Sequence, residues 1–249
     1  MILFCEKHGE YENKEVGVMG RAFPLGCPKC LAEREQKFKE QDERDSKIAA
    51  QEKELHKKAL LLQRGIEPEF FNITLDDYKV ETEEEQKALN AAKALAEGKI
   101  YKLVLLGNFG TGKTMLASAL ANMLDGIRIT MFEISAKIRE MYNNREGTEV
   151  EVLNDLLSYP FIAIDEIGRT KGSEAELNWL SYLIDKAHTR KIKLMLISNK
   201  LRANSLPDNE KADCFEQFIP ADSTSRLRQN TVIVELFGRD RRASNAGVL

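Results

Sequence analysis

The segment Gly107-Asn108-Phe109-Gly110-Thr111-Gly112-Lys113-Thr114 constrains this chain more than any other. It satisfies G-x-x-x-x-G-K-[ST] in full. It lies between an apolar run, Tyr101–Leu106, and a helical pattern, MLASALANMLDG. Strand, glycine loop and helix in that order are the context the motif needs. The glycines let backbone N–H groups turn inward around a phosphate, and the following helix adds the positive end of its dipole. Lys113 is set to reach the β- and γ-phosphates, and the Thr114 hydroxyl to bind Mg²⁺. A purine triphosphate, ATP with ADP as product, is the ligand expected.

From Lys99 onward, short apolar runs alternate with amphipathic helical stretches. The runs are Tyr101–Leu106, Ile127–Phe132, Phe161–Ile164, Leu194–Ile197 and Val232–Leu236. Their spacing leaves room for crossover helices, which predicts an α/β domain with a five-stranded parallel sheet covered on both faces. The third run ends in two acids, Asp165 and Glu166. An acid here contacts magnesium in phosphate-loop enzymes, and Asp165 takes that role. Glu166 can reach the attacking water as general base, and Asp-Glu favours hydrolysis over binding alone. The fourth run ends in Ser198-Asn199, where Asn199 can orient the same water and sense the γ-phosphate.

Three of the four cysteines lie in the first thirty residues. Cys5-Glu6-Lys7-His8 and Cys27-Pro28-Lys29-Cys30 are two complete C-x-x-[C/H] knuckles. Together they supply the four ligands of a tetrahedral Zn²⁺ site, Cys5, His8, Cys27 and Cys30. Residues 1–32 therefore read as a small zinc ribbon. Residues 33–64, without proline or glycine and with charges of both signs alternating, read as a helical arm. Residues 65–249 read as the nucleotide domain, opening with a helix over Glu81–Gly98 capped by Thr82. The N-terminus, MILFCEKHGE, does not read as a secretory signal. No apolar run approaches the ~18 residues of a membrane span. A cytoplasmic setting, in a bacterial cell or phage-infected host, is expected. A 43% hydrophobic share excludes a wholly disordered chain, and a net charge of −3 excludes a blanket polyanion binder.

These motifs resemble the AAA+ ATPases and, within them, the bacterial replicative helicase loaders of the DnaC type. The resemblance covers about Gly65 to Arg242. Gly107–Thr114 stands as Walker A, Ile162–Gly168 as Walker B, and Ser198-Asn199 as sensor 1. Ser225-Arg226-Leu227 looks like an arginine-finger box, with Arg226 reaching a neighbouring subunit's nucleotide. Arg242 looks like sensor 2, favoured over Arg241 for folding back onto the phosphates. The resemblance implies an N-terminal region that binds a hexameric replicative helicase, self-assembly through the ATPase domains, and single-stranded DNA as a partner. DNA contact is expected on the helical stretch Phe132–Gly147, through Lys137, Tyr142 and Arg145. Two other readings share the core: a transposition helper of the IstB type, and a nucleotide-gated adaptor with little turnover.

Overall fold

The computed structural model describes residues 2–241 except 13, 19, 20, 25, 170 and 171. The chain divides into two compact units, residues 1–57 and 58–249.

The first unit opens with two antiparallel hairpins. Strands β1 (Ile2–Cys5) and β2 (Gly9–Glu12) pair from Ile2↔Glu12 to Cys5↔Gly9. Strands β3 (Glu15–Val18) and β4 (Arg21–Pro24) pair from Glu15↔Pro24 to Val18↔Arg21. Helix α1 (Pro28–Gln63) then starts on a proline, whose missing N–H costs nothing at a first helical position. Its one buried side chain is Leu61, near its end. Composition explains this: the sequence between Leu31 and Lys58 has too few apolar positions to define a core-facing stripe.

The second unit is a parallel sheet with helices on both faces. Its strands are β5 (Lys102–Gly107), β6 (Ile127–Thr130), β7 (Phe161–Ile167), β8 (Lys193–Ser198) and β9 (Thr231–Leu236). Their order across the sheet is β6-β7-β8-β5-β9. The five-stranded parallel sheet expected from the apolar runs is present. One face packs on α2 (Glu83–Ala96) and α3 (Lys113–Met123), through Leu103, Leu105, Phe161, Ala163 and Met195. The other packs on α4 (Met131–Asn144), α5 (Glu149–Leu156) and α6 (Glu174–Arg190), through Val104, Leu106, Ile162, Ile164 and Leu194. Successive residues of β5 and β7 thus serve opposite cores, which is why both strands are apolar throughout. Helix α7 (Ala221–Arg228) precedes β9.

Helices α2, α4, α5 and α6 each begin with a reciprocal capping box, at Thr82/Glu85, Thr130/Glu133, Thr148/Glu151 and Ser173/Glu176. The box at Thr130 stops β6 two residues short of the apolar run, so Met131 and Phe132 form the first turn of α4 instead. Helix α3 is different. Its N-cap is Gly112, which supplies no side-chain acceptor and leaves the helix N-terminus facing the phosphate loop. Among the described residues, no helix is long and apolar enough to cross a membrane.

Candidate functional site

Strand β5 has β8 on one side and β9 on the other, while its own crossover leads to β6 at the far edge. The carboxyl end of such a strand opens a crevice where ligands bind. The loop Gly107–Gly112 occupies it. Gly112 holds φ at +86°, and a Cβ there would meet the Tyr78 ring at 2.6 Å, so both conformation and space call for glycine. Tyr78, nearly buried, donates its hydroxyl to the Thr111 carbonyl at 3.0 Å. Burial pushes its own titration up to about 12, so it stays a donor. Lys113 donates Nζ to the carbonyls of Gly107 at 2.8 Å and Asn108 at 2.6 Å. This holds the ammonium against the loop that it would share with a phosphate. Phe109 lies exposed at the tip.

Thr114 donates its hydroxyl to Asp165 Oδ2 at 3.0 Å. The two ends of the expected magnesium site are therefore adjacent. A hydroxyl and a carboxylate are hard oxygen donors that suit Mg²⁺ with water and phosphate completing its shell. Asp165 is buried, and its Oδ1 accepts the Glu166 N–H at 2.7 Å. Glu166 sits where the β7–β8 register shifts between Ile164 and Ile167, with φ at +59°. That bulge turns Glu166 off the strand, and its carboxylate pairs with Arg169. Ser198 at the end of β8 donates to the Ile167 carbonyl at 2.6 Å, which seats the half-buried Asn199 beyond it.

Arg226 is not in this cluster. It lies on α7, exposed, and pairs with Asp185 of α6. A hydroxyl contact, Ser181 Oγ to Ser223 Oγ at 2.8 Å, ties the same two helices. Arg242 lies outside the described residues. Its neighbour Arg241 does fold onto the loop. The Arg241 N–H donates to the Gly110 carbonyl at 3.1 Å, its guanidinium stacks 4.5 Å above the Tyr78 ring, and it pairs with buried Glu85 at 2.7 Å. Burial alone would raise the Glu85 carboxyl, but Arg241 and the Glu81 and Thr82 N–H groups outweigh it and hold it below the usual range.

On α4, Lys137, Tyr142 and Arg145 are all exposed but do not form one patch. At ~100° per residue, Lys137 and Tyr142 stand about 140° apart around the helix. Tyr142 donates to Glu149 at 2.6 Å, and Arg145 is the left-handed C-cap. Exposed Phe132 and Arg139, one above the other with the guanidinium 5.7 Å from the ring, make the more continuous surface. Phe132 lines a cavity shared with Glu166 and Arg169.

Arg128 is the functional neighbour that motif reading passes over. It lies on β6, buried, with its guanidinium 3.3 Å from Asp165 Oδ2 and 2.7 Å from Glu67. The available signal was a lone arginine between Ile127 and Ile129 in an otherwise apolar strand.

In the first unit, Cys5, His8, Cys27 and Cys30 bring their ligand atoms within 4.8 Å of one another. Cys5 and Cys30 sulfurs are 3.6 Å apart, and His8 Nδ1 lies 3.8, 3.7 and 3.2 Å from Cys5, Cys27 and Cys30. A tetrahedral zinc with ~2.3 Å bonds to sulfur and ~2.0 Å bonds to nitrogen has edges of about 3.5–3.8 Å, so the donor set fits. His8 Nε2 meets Glu33 at 3.0 Å, the outer-shell contact that fixes a ligating ring. Backbone N–H groups of Lys7 and His8 pull the Cys5 thiol down to about 6, while the neighbouring Cys5 pushes Cys30 up to about 11. A cation held among them would favour both standing as thiolates.

The family described as IstB-like ATP binding protein matches residues 39–205. The chain belongs to that family. The match takes in the phosphate loop, Asp165, Glu166 and Asn199, and leaves out the cysteine cluster and Arg226. The replicative helicase loader DnaC of Escherichia coli is 30% identical over 159 residues, 59% of this chain and 65% of that protein. The Buchnera aphidicola loader of the same name is 32% identical over 156 residues, 57% of this chain and 63% of that one. The alignment thus spans less than two thirds of these relatives. A crystal structure of the DnaC helicase loader superimposes with a TM-score of 0.54 at 16% identity, covering 69% of this chain and all of that one. That likeness establishes the AAA+ fold.

Proposed function

We propose that this chain is an ATP-dependent helicase loader of the bacterial or phage-infected cytoplasm. The observation that carries the reading is the joined Lys113–Thr114–Asp165–Glu166 site in a chain 30% identical to a named replicative helicase loader.

In the proposed reaction, Lys113 exchanges its two loop carbonyls for the β- and γ-phosphate oxygens. The N–H groups of Gly110–Thr114 and the uncapped N-terminus of α3 hold the phosphate chain. Bound Mg²⁺ would neutralise developing phosphate charge from a place beside Thr114 and Asp165. Glu166 leaves Arg169 to orient and deprotonate water, with Asn199 fixing the water's second hydrogen bond. Arg226 is supplied by an adjacent copy and stabilises charge in the transition state. The same assembly lays single-stranded DNA along α4, where Phe132 and Arg139 join Tyr142 on one side as contacts, with Lys137 and the C-cap Arg145 facing other ways.

The first unit, tipped by zinc on Cys5, His8, Cys27 and Cys30 and extended by α1, is the proposed helicase-binding region. The test is capture of a purified hexameric replicative helicase by the full chain, with and without ATP. Stable capture, followed by delivery of the helicase to single-stranded DNA, supports the loader. The family's IstB-like description favours a second reading, a transposition helper. Capture of a transposase with no affinity for the helicase would select it.

A further inference from the structure

The end of α1 is fastened to the edge strand β6. The Arg128 N–H donates to the Arg64 carbonyl at 2.9 Å, and Arg128 Nε donates to the Gly65 carbonyl at 3.0 Å. Gly65 holds φ at +71°, and a Cβ there would fall 1.9 Å from the Arg128 carbonyl oxygen. Ile66, buried next to it, donates to the Leu61 carbonyl inside the last turn of α1. The segment 64–67 therefore cannot move without disturbing Arg128.

The far end of the same side chain reaches Asp165. The oxygen it approaches, Oδ2, is the one that accepts the Thr114 hydroxyl. Both ionic partners are secluded, with Arg128 and Asp165 side chains 9% and 6% exposed, while Glu67 on the other side of the fork is 52% exposed. Charges at this separation interact strongly when water is kept out. A fixed guanidinium against the carboxylate opposes a second cation on it.

We infer that Arg128 is a positioning residue that competes with the magnesium of the nucleotide site for Asp165 and ties that competition to the Gly65–Glu67 segment at the end of α1. The inference rests on the proposed nucleotide site and adds to it a regulatory input. Glu67 sets the balance: while it holds the guanidinium, Asp165 is more available. Because coupling between two sites is reciprocal, whatever shifts the Gly65–Glu67 segment changes metal affinity, and metal binding changes the hold on that segment.

The test uses the full chain, a fluorescent ATP analogue and a Mg²⁺ titration, read as the half-saturating Mg²⁺ concentration for tight nucleotide binding. Arg128→Gln should lower it about five-fold or more, the low end of ordinary coupling. Glu67→Gln should raise it, since the guanidinium then leans on Asp165 alone. Arg128→Lys, which keeps the charge without the fork, should lie between wild type and Arg128→Gln. In wild type, Mg²⁺ added to the ATP complex should speed hydrogen exchange at the Ile66 amide, and Arg128→Gln should abolish that difference. A purely structural role would not move the two variants in opposite directions. Equal half-saturation in folded wild type, Arg128→Gln and Glu67→Gln would overturn the inference. If Arg128→Gln does not fold, an unchanged Glu67→Gln overturns it alone. A wild-type chain that binds no nucleotide at any Mg²⁺ concentration removes the site and this inference with it.

Discussion

Glu166 occupies a left-handed conformation that non-glycine residues adopt at a cost of order 1–3 kcal/mol. The surrounding β7–β8 shift and the contact to Asp165 Oδ1 hold it there. A residue kept in that state by its neighbours has its carboxylate aimed independently of the strand. Glu166→Gln preserves shape and removes the carboxylate proposed as the base. It should bind ATP as tightly as wild type and lose about 10²-fold or more in hydrolysis. Nucleotide titration beside phosphate release measures both, and an unchanged rate would move the base elsewhere. The nearness of Thr114, Asp165 and Glu166 was legible in the sequence, because each sits at a strand end or at the loop that follows one. Arg128 was not, because its meaning lies in partners 37 and 61 residues away. A strand arginine announces burial cost without naming what compensates it.

At the scale of elements, the short segment after β9 shows where prediction from order along the chain reaches its limit. An arginine folding back was foreseeable; Arg242, the one expected, lies outside the described residues, and Arg241 is seen to fold back through Glu85 and Tyr78. The Glu85 carboxyl titrates below its ordinary 4.5 in the folded chain. The anchor therefore stabilises fully above pH 4.5 and is lost as pH falls through the lower folded value. Thermal melts should drop as pH falls below 4.5, and Glu85→Gln should show a shallower drop; parallel acid limbs would count against the anchor. The hairpins and the start of α1 make a second case. The cysteine spacing was readable, whereas the Glu33 contact to His8 depends on helical phase from Pro28. Purified chain should carry one zinc, and Cys27→Ser should lose it. Because the second unit has its own core on both faces of its sheet, the variant should unfold the first unit while nucleotide binding persists. Metal analysis with limited proteolysis separates these outcomes, and metal-free wild type would end the zinc assignment.

For the whole molecule, the sheet sets the distance between Arg226 and the chain's own phosphate loop. Strand β9 runs beside β5 from Thr231↔Lys102 to Leu236↔Gly107. Arg226 precedes Thr231, near the end of the sheet where Lys102 meets His188, while the phosphate loop follows Gly107 at the other end. Six residues of strand separate these ends by about 17 Å at ~3.3 Å each, far beyond an arginine side chain. A finger so placed serves another copy's nucleotide or none. Its pairing with Asp185 keeps the guanidinium on the surface of α6 and α7. The expected consequence is complementation. Glu166→Gln has an inert site and an intact finger; Arg226→Ala has an intact site and no finger. Each alone should hydrolyse ATP at a small fraction of the wild-type rate, and wild-type turnover per chain should rise with protein concentration. Mixing the two should restore activity above the sum of the parts, because mixed assemblies place the finger of one against the site of the other. Phosphate release across a mixing series gives the answer. Strictly additive rates, or a wild-type rate independent of concentration, would show that Arg226 belongs to the fold and not to catalysis.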